Sequence, residues 1–430
     1  MVMWFANRGW LCSGVIVKMG RRSAPADVVH VWKREMARNN WIGKKSDIVE
    51  CDREKLLEIK NELKSKARRL GLSLIGVTSP KPSARFEKYK QWLQNSYHGE
   101  LDYMEREDRV ARRRNPGLIL PGAQSVIMVG MFYWPGQNGF PKEHEVSITH
   151  ARNSSNGDET RGVVSSYAWG EDYHRILERK LKTLGKQLNK VAGGVGRFYV
   201  DTGAVLERDF AERAGLGFIG KNSLLIHPRG GSGFFIGELF STVALPVDGD
   251  EEMKPGRGRA GCGKCTKCMV ACPTGAIVEE RVVDARKCIS YLTIELKGDI
   301  AEELRPLMGN RVYGCDICQQ VCPWNRIKWR EDDGNAAWSP LFGAIEKEVS
   351  TPKLTELVLM DESEFAKRFE KSAVRRIGAE RMARNAAVAL GNGGAGAADL
   401  RALRIAATRH RSALVRRHAR WALRRIMRRA

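Results

Sequence analysis

The chain has 430 residues, 43% of them hydrophobic and 29% charged, enough to bury the cores of two or three globular domains and too apolar for a disordered tail. Lys and Arg outnumber Asp and Glu by 73 to 50, a formal net charge of +23, which points to a polyanionic partner ahead of an acidic small molecule. No apolar run approaches the roughly 18–20 residues of a bilayer-spanning helix, and Arg21-Arg22 is followed by Ser23-Ala24-Pro25-Ala26-Asp27 instead of a hydrophobic export segment, so a soluble, cytoplasmic protein without a membrane partner is expected.

Residues 1–51 hold nine Lys/Arg against four acids, with Trp4, Trp10, Trp32 and Trp41 and no sustained period. They read as an unordered extension or a start codon placed too far upstream, with an organelle transit peptide as the sharper alternative. A catalytic domain is expected over 52–246. Leu56, Leu57, Ile59, Leu63, Ala67 and Leu70 share one helical face, which Gly71 ends before a strand at Ser73–Val77. Ser125–Phe132 reads as a buried strand and Gly136–Glu159 as a long polar loop. A helix follows over about Asp172–Val191, then a strand at Arg197–Val200, a helix over Glu207–Ala214, and two strands, Leu224–His227 and Gly233–Ala244, expected to form an antiparallel hairpin. The mixture predicts an α+β or α/β fold. Residues 247–261 form a Gly/Pro/charge linker, 262–349 a cysteine-rich domain, and 350–430 a helical domain.

In that last segment Arg384-Asn385-Ala386-Ala387-Val388-Ala389-Leu390 matches Arg417-His418-Ala419-Arg420-Trp421-Ala422-Leu423 at an offset of 33 residues, which fits a short HEAT-like helical repeat. From Ser372 onward there are fifteen Arg, no Lys and only Glu380 and Asp399 as acids, so this segment carries +13 of the total. So few acids leave few intrahelical ion pairs, and a nucleic-acid backbone is favoured over a merely solvated face.

Eight of the ten cysteines lie between Cys262 and Cys322, a distribution that suits metal ligation in a reducing compartment better than disulfides. Cys262-x2-Cys265-x2-Cys268-x3-Cys272-Pro273 has the spacing of ferredoxin-type [4Fe-4S] ligation, in which the fourth thiolate serves the neighbouring cluster. Cys315-x2-Cys318-x3-Cys322-Pro323 repeats its last three members, and Cys288 supplies the missing first. The crossed arrangement assigns Cys262, Cys265, Cys268 and Cys322 to cluster one, and Cys272, Cys288, Cys315 and Cys318 to cluster two. A pair of zinc sites is the weaker reading, since zinc knuckles do not need this crossed, Cys-Pro-terminated pattern. Two clusters form a one-electron relay, and a relay needs an acceptor in the preceding domain.

Candidate site residues precede the clusters. Asp201, in Val200-Asp201-Thr202-Gly203, ends a strand beside a glycine and is well placed to point into a cleft, where desolvation would make it a general acid; residue type alone favours a turn or cap. Gly215-x-Gly217-x-x-Gly220 follows a helix, not a strand, so it is no dinucleotide fingerprint; the glycines are expected to let the backbone approach a large planar ligand. Tyr167-Ala168-Trp169-Gly170-Glu171-Asp172-Tyr173-His174 joins aromatic surface to titratable groups, although a lone His there fits a structural role. Arg112-Arg113-Arg114-Asn115-Pro116 reads as an anion-holding or simply exposed basic turn.

Taken together, Val200–Gly203, Ala214-Gly215-Leu216-Gly217-Phe218, Tyr167–Gly170, the eight cysteines, Cys288-Ile289-Ser290-Tyr291-Leu292-Thr293 and Cys322-Pro323-Trp324-Asn325 resemble the epoxyqueuosine reductases, over about Lys55 to Arg425. The resemblance implies an α/β cobalamin-binding catalytic domain, a ferredoxin-like domain with two [4Fe-4S] clusters, and a HEAT-like helical repeat. It implies reduction of epoxyqueuosine to queuosine at the tRNA wobble position, with electrons passing through the clusters to cobalamin and Asp201 as proton donor. The implied cobalamin contacts are Arg113, Ser165, Asp201, Ser223, Leu225, His227 and Ile236. Arg384, Arg416, Arg417 and Arg420 are expected to hold the anticodon arm, an external flavodoxin or ferredoxin system to supply electrons, and the protein to be a monomer. A corrinoid reductive dehalogenase and an electron-transfer module for a partner oxidoreductase are the alternatives.

Overall fold

A computed structural model of the protein describes residues 41–43, 52–134, 160–248, 261–326, 347–394 and 396–429. The expected N-terminal extension up to residue 40, the polar loop at 136–159 and most of the linker lie outside the described residues. The elements below belong to the compact unit Ile42–Ala430.

Five helices and seven strands build the first part. Helix α1 (Arg53–Arg69) starts where the Asp52 side chain accepts from the Lys55 N–H, and buries the Ile59, Leu63, Ala67 stripe anticipated from its period. It leads into strand β1 (Leu74–Thr78), helices α2 (Phe86–Gln94) and α3 (Glu107–Arg114), and strand β2 (Ser125–Phe132). Then come β3 (Val163–Val164), helix α4 (Tyr173–Ala192), β4 (Gly196–Tyr199), helix α5 (Glu207–Arg213), and strands β5 (Phe218–Ile219), β6 (Leu225–Ile226) and β7 (Phe234–Ser241).

The central sheet runs β4-β7-β2-β1, antiparallel at each of these pairings. Strand β2 is buried at all eight positions because it is flanked on both sides and covered on both faces. One face packs Ile127, Val129, Phe235 and Leu239 against Leu177, Leu181 and Leu184 of α4 and Leu63 of α1. Alternation along β7 sends Phe234, Ile236, Glu238 and Phe240 to the opposite face, where Phe240 meets Phe210 of α5. The anticipated hairpin between the last two strands does not form as expected. Strand β6 pairs with β5, while β7 pairs with β2 and β4, and the two segments share only a bridge at His227 and Gly231.

The glycines of 215–220 also do something other than expected. A side-chain carbon at Gly217 would stand 2.4 Å from the Ile226 carbonyl, and one at Gly220 would stand 2.4 Å from Ile226 Cδ1. They let β5 close onto β6, and they do not line a ligand surface. Gly215 alone answers to a backbone demand, with φ of +80° at the end of α5.

The cysteine module and the C-terminal helices share one core. It joins Ile289, Leu292, Val312 and Tyr313 to Leu354, Leu357, Val388, Leu403 and Trp421, and it reaches the sheet domain through β3, which pairs in parallel with Arg311–Tyr313. Helix Gly378–Gly393 is the tie between them. Its Arg384 is fully buried and donates to the carbonyls of Leu292 (2.7 Å), Leu296 (2.7 Å) and Gly298 (2.8 Å). Asn385 donates to Thr293 and Val312 carbonyls, and Asn392 to those of Arg305 and Gly309. Arg384 therefore reaches no phosphate, and it leaves the set of tRNA contacts. Arg384→Ala would strand three buried carbonyls and is expected to cost on the order of 3 kcal/mol, read as a lower urea midpoint at unchanged slope; an unchanged midpoint would contradict this role.

Candidate active site

A cleft of about 880 Å³ opens between the sheet domain and the cysteine module. Its walls carry Asp201, Arg113, Ser165 and Ser223 from one side and Cys272, Cys288, Cys315 and Cys318 from the other. A second, smaller cavity is lined by Cys262, Cys265, Cys268 and Cys322. The eight thiols are thus divided four and four along the crossed assignment. Four thiols spread around each of two cavities suit the body of a cubane. Backbone N–H groups of Lys221 and Ala276 point at the sulfurs of Cys262 (3.4 Å) and Cys272 (3.3 Å), the kind of contact that tunes a cluster's potential.

Asp201 follows β4 and stands in the left-handed region, with φ of +58°. Ser223 does the same at +65°. A non-glycine residue there is strained, and such strain persists where the surroundings over-determine it. The surroundings of Asp201 are specific. Tyr173 donates its hydroxyl to Asp201 Oδ2 at 2.8 Å, and burial together with the charge of Asp201 pushes its phenol far up, so it remains a donor. Its ring is held flat on Phe235, 4.1 Å between centroids. Arg109 donates to the carbonyls of Thr202 (3.0 Å) and Gly203 (3.3 Å), fastening the turn that carries Asp201. The N-cap of α5 is Leu206, which makes no side-chain capping bond, so Asp201 is not spent on a cap. Its side chain is 55% exposed toward the cleft.

The other sequence candidates divide. Arg113 is buried, not an exposed basic turn; it donates to the Tyr89 hydroxyl at 3.3 Å and lies over that ring. Ser165 bonds Asp316, which also accepts from the Ser166 N–H at 2.7 Å, tying this wall to the cluster-two loop. His174 bonds Asp172 at 2.6 Å and stands 3.9 Å from Asp201 Oδ2, close enough for an ion pair when protonated. Leu225, His227 and Ile236 do not line the cleft. Leu225 is a ladder residue, and His227 packs edge-on to Phe132, where burial lowers its pKa to about 4 and keeps it neutral.

Several residues went unread in the sequence. Glu207, in the first turn of α5, lines the cleft, and burial beside Asp201 pushes its carboxyl up to about 8. Glu238 of β7 is fully buried among strands. Arg376, from the start of the Arg-rich segment, has its cation favoured by Tyr173, Tyr313, Asp201 and Tyr167 against the cost of its own burial, which places it near the catalytic turn. Only the helix-start position of Glu207 was a readable signal; Glu238 and Arg376 depend on the tertiary fold.

A family model described as "Epoxyqueuosine reductase QueG, DUF1730" matches residues 113–202, and one described as "4Fe-4S double cluster binding domain" matches residues 261–325. The epoxyqueuosine reductase of Shigella dysenteriae serotype 1 is 45% identical over 340 residues, covering 78% of this chain and 82% of its own. The chain belongs to the epoxyqueuosine reductase family. The family member from Burkholderia pseudomallei is 41% identical over 392 residues, 87% of this chain and 93% of its own. Among solved structures, an epoxyqueuosine reductase with an epoxyqueuosine-modified tRNA-Tyr stem loop aligns with a TM-score of 0.72 at 30% identity, covering 86% of this chain and 91% of that one. The Bacillus subtilis family member, solved with its catalytic aspartate loop swung out of the active site, aligns at 0.71 and 30% with the same coverage. The family is one of oxidoreductases, and the double-cluster match spans the segment that holds the eight cysteines.

Proposed function

We propose that this chain removes the epoxide oxygen of epoxyqueuosine at the wobble position of a tRNA anticodon, yielding queuosine, with cobalamin in the cleft and Asp201 as proton donor. The observation that carries the reading is the sharing of one cleft by Asp201 and the four cysteines of cluster two. The cleft also suits a large planar ring with polar side groups. Tyr89, Tyr103, Tyr133 and Tyr167 give it flat apolar walls, and Asn222 Nδ2 and Ser223 Oγ are buried on it without hydrogen-bond partners. Arg113, Ser165, Asn222 and Ser223 are the residues that would hold a corrinoid there. When bound, cobalamin supplies the strongly reducing centre that amino-acid side chains lack.

The chain's own residues then do the acid–base and positioning work. Asp201, presented by a fastened turn and oriented by Tyr173, gives a proton to the departing oxygen and so spares the release of an alkoxide. Aromatic side chains line the cleft that it faces. The helical segment, which we read as a HEAT-like repeat following a cobalamin domain over 52–246 and a cluster domain over 262–349, presents exposed Arg to the phosphate backbone. Arg420 is exposed, Arg417 pairs with Asp299 at 2.7 Å, and Arg416 donates to the carbonyls of His410 and Arg411. Arg420→Ala is expected to weaken tRNA binding and to lower the salt slope by about one; a slope equal to wild type would remove this arginine from the interface.

Complementation tests the function. In cells lacking their own enzyme, tRNA nucleosides should shift from epoxyqueuosine to queuosine when this chain is supplied. Epoxyqueuosine persisting alongside abundant, cluster-loaded protein would refute the reading.

A further inference from the structure

Turning an epoxide into an alkene breaks both C–O bonds and forms one C=C bond. The oxygen leaves as water, so each turnover consumes two electrons, delivered singly by an external carrier through the clusters, and two protons. Asp201 holds only one carboxyl proton. A second acid has to serve the same oxygen, or the first must be recharged within the turnover.

Two carboxyls stand next to it. Glu207 lines the cleft six residues on, near enough for the Asp201 charge to act on its carboxyl. Glu238 lies beneath, on the sheet face that looks toward α5. It is 0% exposed and neither of its carboxyl oxygens has a hydrogen-bond partner. The turn carrying Asp201 lies directly on it, since a side-chain carbon at Gly203 would stand 3.0 Å from Glu238 Oε1. An unpaired buried carboxylate is costly enough that the group neutralises instead.

The charged groups facing Glu207 are Asp201, Arg208 and Arg113, and Glu238 senses both Glu207 and Asp201. Both arginines have other engagements, Arg113 with Tyr89 and Arg208 with the Ser223 carbonyl. Burial first, and the Asp201 charge second, hold Glu207 up to about 8. Burial and its two acidic neighbours hold Glu238 well above the carboxylate range. Three carboxyls packed this closely cannot all ionise at neutral pH, so a proton remains available at the cleft after Asp201 has given up its own.

We propose that Glu207 supplies the second proton of each turnover. The proposal rests on the reading of Asp201 as first proton donor.

The test is single-turnover reduction of an epoxyqueuosine stem loop by the reduced protein carrying both clusters and cobalamin, followed from about pH 6 to about pH 10. The wild-type rate should fall as pH rises through about 8. Glu207→Gln should slow turnover by about 100-fold and abolish that alkaline limb, while Glu207→Asp recovers part of the rate and keeps the limb. In the cofactor-free protein, infrared difference spectra should show a protonated carboxyl at neutral pH that is absent from Glu207→Gln. Iron content, cobalamin absorbance and tRNA affinity are measured for each variant to establish an intact site. A Glu207→Gln rate equal to wild type, a slowed rate with an unchanged alkaline limb, or no limb in the wild type would each overturn the proposal. Failure of the underlying reading shows differently, as wild-type turnover by Asp201→Asn.

Discussion

Asp201→Asn is expected to lower single-turnover reduction by about 100- to 10,000-fold, the range over which a positioned general acid contributes, while cobalamin, iron and tRNA binding stay at wild-type levels. The geometry explains why the loss should be confined to chemistry. Asn can still accept the Tyr173 hydroxyl that reaches Oδ2 at 2.8 Å, and the Arg109 bonds to the Thr202 and Gly203 carbonyls involve no atom of the side chain. The turn therefore keeps its place, and only the transferable proton goes. Asn also tolerates the positive φ of this position. Wild-type turnover by this variant would remove Asp201 from the reaction.

Substitution of a cysteine from either set should be as severe and diagnostic in a different way. Cys318→Ser removes a ligand lining the main cleft, and Cys322→Ser one lining the second cavity. Although Cys322 follows Cys318 in the same motif, each variant should lose a different cluster, with iron falling from about eight atoms toward four. Electron paramagnetic resonance of the reduced variants should show two different residual signals, and both should lose steady-state reduction. On the proposed route, electrons reach the cleft through cluster two and reach cluster two through cluster one, so the loss of either cluster interrupts it. The same residual signal in both variants would contradict the crossed assignment.

Much of this organisation is legible in the sequence, for reasons that differ from residue to residue. The cysteine ligands announce themselves because chelation demands fixed local spacings, and the Pro after Cys272 and Cys322 marks where each set turns away. The α1 face and the β2 strand are readable because burial imposes a period. The course of β7 was not legible. Its extended character is plain, but it pairs with β2, more than a hundred residues earlier, and no local pattern distinguishes that from a hairpin with β6. Arg384 misled for a related reason. Within an Arg-rich helix it looks like its repeat mate Arg417, yet one caps buried carbonyls and the other meets Asp299 at the surface. Glu238 is the clearest limit, since nothing near it in sequence tells that a charged residue will sit unpartnered inside the sheet.

The central claim is tested most directly by mass spectrometry of tRNA nucleosides after anaerobic incubation of the purified protein, carrying both clusters and cobalamin, with epoxyqueuosine-containing tRNA and a one-electron reductant. One queuosine gained for each epoxyqueuosine lost is the expected result. Epoxyqueuosine left intact by fully loaded, reduced protein that binds the tRNA would contradict it.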